Sequence, residues 1–314
     1  MTGSYKHIIS INDFSKDDIV YILKQAFKMD KHGDKPLLRG KIMASLFFEP
    51  STRTRLSFET AMNRLGGRVI GFAESSSTST QKGESLYDTI RMIMQYADVI
   101  VIRHPLEGAA RLASETSSVP VINAGDGANQ HPTQTFLDLY SIFKTHPHLV
   151  KQEEKPLEIA FMGDLKYGRT VHSLITALSN FYCRMWFVSH PLLTIPDSYL
   201  QILTKRNIPF YQVDSLDDVI NKVDILYATR IQAERFPDPV EYERVKDLYK
   251  LRKEHLLNVR KGFKIMHPLP RVTEIDTDID NLPAAYYFSQ AGNGIPVRKA
   301  LLYLVLKSTL SEEE

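Results

Sequence analysis

The sequence predicts an α/β protein of two domains, each a mainly parallel sheet flanked by helices, with interdomain helices joining them. Near-continuous apolar runs such as Ile42–Phe48 and Val99–Ile102 alternate with amphipathic stretches of helical period, as do strands of a parallel sheet that is buried on both faces. The alternation pauses at the polar, proline-bearing segment Thr145–Pro156 and restarts at Leu157, which marks a second series. A chain of 314 residues is long enough for two domains of ordinary size. A compact chain of this length should bury roughly 75% of its extended surface. The expected division is 1–135 plus 291–314 for the first domain and 136–290 for the second, because the helix from about Val297 returns to the first.

In order, Ser10–Asp30 reads as the first helix, with Ser15 a cap before Asp17 and Asp18 and with Ile19, Ile22, Leu23, Ala26 and Phe27 on one face. His32–Pro36 breaks it, and Lys41–Phe48 is the first strong strand. A helix opens at Ser51, carries Leu56, Phe58, Met62 and Leu65, and stops at Gly66-Gly67 before the short strand Arg68–Phe72. Glu84–Tyr96 reads as helix, Ala97–His104 as a strand ending in Arg103 and His104, and Gly108–Ser117 as a crossover helix. Val119–Asn123 is the next strand, and small residues after it permit a tight turn into a helix beginning near Pro132. In the second series Leu157–Asp164 is a strand, and the turn Gly163–Thr170 leads into a helix through about Leu178. Cys183–Ser189 and Pro209–Val213 read as strands around the helix Asp197–Lys205, then a helix follows the Ser215 cap, and Asp224–Arg230 is a strand ending in arginine. Pro237–Arg252 reads as a charged loop and helix, Phe263–Arg271 as a strand broken by two prolines, Ala284–Ser289 as a last strand and Val297–Thr309 as the closing helix.

Composition excludes several functions. A formal charge of +2, with basic and acidic residues interspersed, is too mild for a nucleic-acid track; arginines at the ends of apolar runs fit a focused anion cleft instead. The single Cys183 sits beside Met185–Val188 and reads as a buried strand residue rather than a reactive thiol. Without a charged-then-apolar leader or a long apolar span, the expectation is a soluble cytoplasmic protein with no membrane partner. The ten histidines include no H-E-x-x-H, so no metal site or cofactor is expected, and neither a G-x-S-x-G elbow nor a lysine-containing phosphate loop is present. Gly163–Thr170 lacks the G-x-G-x-x-G spacing of a dinucleotide site.

The stretch Phe48–Phe58 concentrates the chemistry. A strand feeds a helix whose first turn offers unpaired N–H groups, the Ser51, Thr52 and Thr54 hydroxyls, and the Arg53 and Arg55 guanidiniums. Phosphate or carboxylate binding fits this composition; an ordinary capped helix, its arginines solvated or paired with Glu49 and Glu59, is the alternative. The polar run Glu74–Gly83 is either a surface loop without chemical role or a lid that contacts an anion through its hydroxyls and Lys82. His131 alone identifies no chemistry, since a helix-mouth histidine can be a cap or solvated.

Ser51-Thr-Arg-Thr-Arg55 taken together with His131-Pro-Thr-Gln134 resembles the two signatures of the aspartate/ornithine carbamoyltransferase family, and the resemblance runs through nearly the whole chain. It implies transfer of the carbamoyl group of carbamoyl phosphate to an amine. His267-Pro-Leu-Pro270, where the ornithine branch has H-C-L-P, points to the aspartate branch, whose product is N-carbamoyl-L-aspartate for pyrimidine (UMP) biosynthesis. By this resemblance the first domain binds carbamoyl phosphate through Ser51, Thr52, Arg53, Thr54, Ser79, Lys82, Arg103, His131 and Gln134, with Pro268 and Leu269 closing against the reacting groups. The second domain binds L-aspartate through Arg169, Thr170, Arg230, Gln232 and Leu269, with Lys82 bridging both anions. Arg53, Thr54, Lys82, Arg103 and His131 are the expected catalytic residues. Fixed donors from Thr54, Arg103 and His131 would stabilise the oxyanion of a tetrahedral state, with no covalent intermediate and with the leaving phosphate as a possible proton acceptor. The resemblance further implies a homotrimer in which Ser79 and Lys82 enter the neighbouring chain's site, and a zinc-containing regulatory chain as partner. It also implies that Glu49 pairs with Arg169 and Arg235 when the domains close.

Overall fold

The computed structural model of the protein describes residues 5–74, 82–151, 155–231, 236, 238–246 and 248–310. The chain forms two compact units, Met1–Tyr140 with Asn293–Glu314, and Ser141–Gly292. Both are built on parallel sheets.

In the first unit, β1 (Ile42–Phe47), β2 (Arg68–Phe72), β3 (Val99–His104) and β4 (Val121–Asp126) lie in the order β2-β1-β3-β4, every pairing parallel. Val99 to Ile102 are fully buried, which is why an uninterrupted apolar run forms this strand rather than an alternating one. The helices are α1 (Lys16–Lys31), α2 (Thr52–Arg64), α3 (Leu86–Ile93), α4 (Ala109–Thr116), α5 (Pro132–Thr145) and, from the end of the chain, α11 (Gly294–Leu310), which packs on α1 and α2. Ser15 caps α1 by accepting from the Asp18 N–H at 3.2 Å, while the Asp18 carboxylate accepts from the Ser15 N–H at 3.0 Å. The expected single helix from Ser10 is in fact two elements. A 3-10 turn, Ile11–Asp13, has its own cap at Ser10, and the chain is extended at Phe14, whose ring packs edge-on against Phe136 at 5.2 Å. Burying that ring determines the break.

The second unit holds β5 (Leu157–Met162), β6 (Cys183–Val188), β7 (Phe210–Val213), β8 (Ile225–Ala228) and β9 (Lys264–Met266) in the order β7-β6-β5-β8-β9, again all parallel. Its helices are α6 (His148–Lys151), α7 (Arg169–Leu178), α8 (Asp197–Lys205), α9 (Pro239–Val245) and α10 (Tyr287–Gly292). Two expectations are corrected. The helix after Ser215 is a series of turns, although Ser215 Oγ does accept from the Asp217 N–H at 3.2 Å; Leu216, Val219 and Ile220 reach the core without a helix. The last strand is also absent: Ala285 makes a single bridge to Ile265, and the aromatic run Tyr286–Phe288 enters α10, with the Tyr287 hydroxyl bonded to Asp280.

Burial in this unit creates a pH dependence. His146 is 9% exposed, and burial pushes its imidazole down to about 4, against an opposing pull from Asp224 and with the charges of His148, Lys155 and Lys264 adding to the fall. The unfolded chain takes up this proton near the ordinary value of 6.5, whereas the folded chain refuses it until about 4. Its contribution is therefore complete above the upper value and is lost as pH falls through the window, by roughly 3 kcal/mol at the acid end. Urea titrations of His146→Phe should give a flatter pH–stability curve there; an identical curve would remove His146 as the source.

Candidate active site

Strand register places the first group of polar residues. Phe47 pairs with Arg103, and the Phe48 N–H donates to the Arg103 carbonyl at 2.9 Å, so the chain leaves β1 beside the end of β3. It then passes Glu49 and Pro50 into α2. Ser51 occupies the N-cap position with extended backbone, yet its side chain makes no capping hydrogen bond, and the first turn holds no acidic residue. Ser15 and Ser85 both cap their helices, so the omission at Ser51 is local. The N–H groups and positive dipole end of a 13-residue helix thus remain available for an anion. Thr52 and Arg53 are exposed there, and Thr54 is buried.

Arg103, at the end of β3, is the second candidate residue. Its side chain is 13% exposed, and its Nη2 lies 3.1 Å from Glu49 Oε2, an ion-pair distance outside hydrogen-bond geometry. Nη1 reaches the Ala124 carbonyl only at 3.5 Å, and Nε has no hydrogen-bond partner among the described residues. Burial lowers the Arg103 pKa, with Glu49 opposing the fall; partial burial lowers that of Arg53, and the like charge of Arg103 lowers it further. Arg55 is different: its Nε donates to Glu59 Oε1 at 2.9 Å within α2, so the helix-pairing alternative describes Arg55 and not Arg53.

The turn after β4 delivers His131. Asp126, 1% exposed, is its centre: Oδ1 accepts from Asn123 Nδ2 at 2.9 Å and the Gln130 N–H at 3.0 Å, while Oδ2 accepts from the Gly108 N–H and Asn129 Nδ2, both at 3.0 Å. His131 is 5% exposed at the head of α5, and its carbonyl accepts from the Gln134 and Thr135 N–H groups. Gln134 is half-buried and donates through Nε2 to Asp138 Oδ1 at 2.9 Å. Lys82 is exposed, whereas Ser79 lies outside the described residues.

The second unit has a corresponding set of strand ends. Gly163, with φ +111°, follows β5 so closely to β8 that a Cβ there would overlap the Thr229 carbonyl oxygen. Thr229 Oγ1 in turn accepts from the Asp164 N–H at 3.1 Å, and Asp164 Oδ1 accepts from the Tyr167 N–H at 2.9 Å. Two half-buried arginines flank this tie: Arg169 with Thr170 opens α7 behind Gly168, which has no side chain to cap the helix, and Arg230 follows Thr229. Gly163→Ala should destabilise the protein by roughly 3 kcal/mol, because both the overlap and the backbone angle oppose a side chain. A thermal midpoint equal to the parent's would contradict that close approach.

Beyond β9, Pro268 and Leu269 are held by a buried histidine. His267 Nδ1 accepts from the Leu269 N–H at 2.8 Å, which puts the ring proton on Nε2, facing Glu274 Oε1 at 2.7 Å. Glu274 Oε2 accepts from the Val272 and Thr273 N–H groups at 3.0 Å. Burial raises the Glu274 pKa, but these hydrogen bonds outweigh it and hold the carboxyl below its ordinary value. Leu269 has φ +55° and is followed by a cis peptide to Pro270. Gln232 and Arg235 lie outside the described residues.

A family model described as aspartate/ornithine carbamoyltransferase, carbamoyl-P binding domain, matches residues 6–144, and one described as the Asp/Orn binding domain matches residues 155–305. The chain belongs to the aspartate/ornithine carbamoyltransferase family. The aspartate carbamoyltransferase catalytic subunit of Methanocaldococcus jannaschii is 56% identical over 312 residues, covering 98% of this chain and 100% of its own. That of Parabacteroides distasonis is 54% identical over 308 residues, covering 98% and 99%. Among solved structures, the M. jannaschii catalytic subunit superposes with a TM-score of 0.88 over 97% of this chain and 99% of its own. Aspartate transcarbamoylase from Trypanosoma cruzi, in complex with carbamoyl aspartate and phosphate, gives 0.88 at 36% identity, covering 97% and 98%.

Seen as a carbamoyltransferase, the chain carries positioning residues that sequence reasoning passed over: Asn123, Asp126, Asp138, Asp164, Thr229 and Glu274. Each is buried and acts through a neighbour, and no motif contains it. The one available signal was a polar residue inside or just after an apolar strand, as with Asn123. Among the described residues, no group of three or more His, Cys, Asp or Glu could hold a metal ion, and no helix is long and apolar enough to cross a membrane.

Proposed function

We propose that this chain is an aspartate carbamoyltransferase catalytic chain, which transfers the carbamoyl group of carbamoyl phosphate to L-aspartate and releases N-carbamoyl-L-aspartate and phosphate. The observation that carries the reading is the start of α2, which has neither a side-chain cap nor an acidic residue in its first turn, together with Arg53 there and Arg103 in its loosely aligned contact with Glu49: these donors gain most from a doubly charged phosphate.

Phosphate binds the Ser51–Thr54 turn and Arg53. Arg103 exchanges its loosely aligned Glu49 contact for the ligand, and Glu49 holds the guanidinium until then. His131 is an oxyanion donor rather than the base; with Thr54 and Arg103 it stabilises the charge that develops on the carbamoyl oxygen as the amine attacks. The nitrogen–carbon bond forms as the carbon–oxygen bond to phosphate breaks, and the amine proton leaves with phosphate. Leu269, fixed by His267, presents rigid backbone to the reacting groups. Arg169 with Thr170, and Arg230 with Gln232, take the two carboxylates of aspartate, and Arg230 repels the cationic side chain of ornithine.

Lys82 is exposed on its own chain, which fits the trimer implied by the family, where it and Ser79 complete a neighbour's site. A zinc-containing regulatory chain, cytoplasmic location and a place in pyrimidine synthesis belong to the same reading. Incubating the purified chain with both substrates should yield phosphate and ureido product in equal amounts. Phosphate release without ureido product would sink the proposal. For the shared site, mixing Lys82→Ala chains with Arg103→Ala chains should restore activity; a mixture no more active than its parts would confine Lys82 to its own chain.

A further inference from the structure

The amide of Gln134 has a fixed direction. Its Nε2 donates to Asp138 Oδ1 at 2.9 Å, and Asp138 is fully buried one helical turn further along α5. A carboxylate can only accept, so it selects the amino end of the amide and leaves Oε1, the acceptor, as the end that half-buried Gln134 presents.

A buried arginine supplies the opposite charge. Arg298 on α11 is 3% exposed, lies over the Phe58 ring at 5.0 Å, and has Asp138 as the negative charge supporting its own. Gly294 leaves the room it needs, since a Cβ there would overlap the guanidinium. A carboxylate beside that positive charge acts as an acceptor and cannot donate to Gln134.

We propose that Asp138, through its hydrogen bond to Gln134, is the positioning residue that makes Gln134 an acceptor and so selects a donor substrate bearing an amino group on its acyl carbon. The inference rests on the carbamoyl transfer proposed above. It distinguishes carbamoyl phosphate, whose NH2 can donate to Gln134 Oε1, from acetyl phosphate, whose methyl group of similar size cannot. Asp138→Asn keeps the shape but also offers a donor, so both directions of the Gln134 amide become available.

The test compares the KM for carbamoyl phosphate with the inhibition constants of acetyl phosphate and inorganic phosphate, with L-aspartate saturating. Asp138→Asn should raise the KM about tenfold, the worth of one hydrogen bond, and leave both inhibition constants unchanged. In a Gln134→Ala background the same change should add nothing further. Asp138→Glu, which retains the charge opposite Arg298 but displaces the acceptor, should give the same split and serves if the asparagine chain does not fold. Equal weakening of all three ligands would mean a merely structural role and overturn the proposal. A parent chain that forms ureido product yet binds acetyl phosphate as tightly as carbamoyl phosphate would overturn it too. A parent chain that forms no product overturns the underlying reading instead.

Discussion

Replacing Arg103 by Ala should lower kcat for carbamoyl transfer by about 1,000-fold, the usual loss for a donor aimed at developing charge in a site sheltered from water. The fold should survive. The guanidinium is largely buried at the end of β3, with an Nε that has no hydrogen-bond partner among the described residues and a poorly aligned Glu49, so its removal takes away a desolvated charge and leaves Glu49, which is partly exposed, to water. Stability should therefore hold or rise slightly while activity collapses. Arg103→Lys should not restore the rate, because a single ammonium cannot reproduce the planar fork. A chain that lost stability and activity in proportion would show that Arg103 serves the fold and not the reaction.

Asp126→Ala should have the opposite signature. Four donors converge on this carboxylate, and two of them, the Gly108 and Gln130 N–H groups, belong to the backbone. Deleting it leaves those part-buried donors without their acceptor and releases the turn that carries His131. The expected loss is about 3–5 kcal/mol in urea unfolding, accompanied by a fall in kcat larger than stability alone would give at a temperature where the variant is folded. Asp126→Asn, which keeps part of the acceptor set, should fall between. A midpoint within error of the parent's would mean the turn is set by Gly125 and Gly127 instead, both at positive φ.

These two variants separate what the sequence made legible from what it hid. Strands β1, β3 and β5 could be read because a strand buried on both faces is mainly apolar, and Arg103 stood out where the β3 run ended. The start of α2 was equally legible, since Ser51 does occupy the cap position. That its hydroxyl is not used there could not be read, because Ser15 and Ser85, of the same residue type, do cap. The turns after Ser215 misled because Ser215 looks like a helix cap and does accept from the Asp217 N–H; Leu216, Val219 and Ile220 nevertheless reach the core through consecutive turns. The aromatic run before α10 misled for a related reason. Tyr286–Phe288 has the composition of a strand, but the Tyr287 hydroxyl is bonded to Asp280 and Arg271, a tertiary preference that overrides propensity.

The positioning residues were hidden for a different reason. Asn123 donates to the Ile9 carbonyl, 114 residues away, and Glu158 accepts from Arg184 and Trp186 on the neighbouring strand. Such pairings exist only once the sheet has formed. Loss of Asn123 would be felt at the end of β4, where its amide also donates to Asp126 beside the turn that carries His131.

The most direct test of the central claim is a competition for the carbamoyl group between equal concentrations of L-aspartate and L-ornithine, with products resolved by chromatography. N-carbamoyl-L-aspartate as the sole product, with Arg230→Leu chains losing most of it through a higher KM for aspartate, is the predicted result. Citrulline as the main product would contradict the acceptor assignment to Arg169 and Arg230, while leaving the phosphate cradle of Arg53 and Arg103 intact.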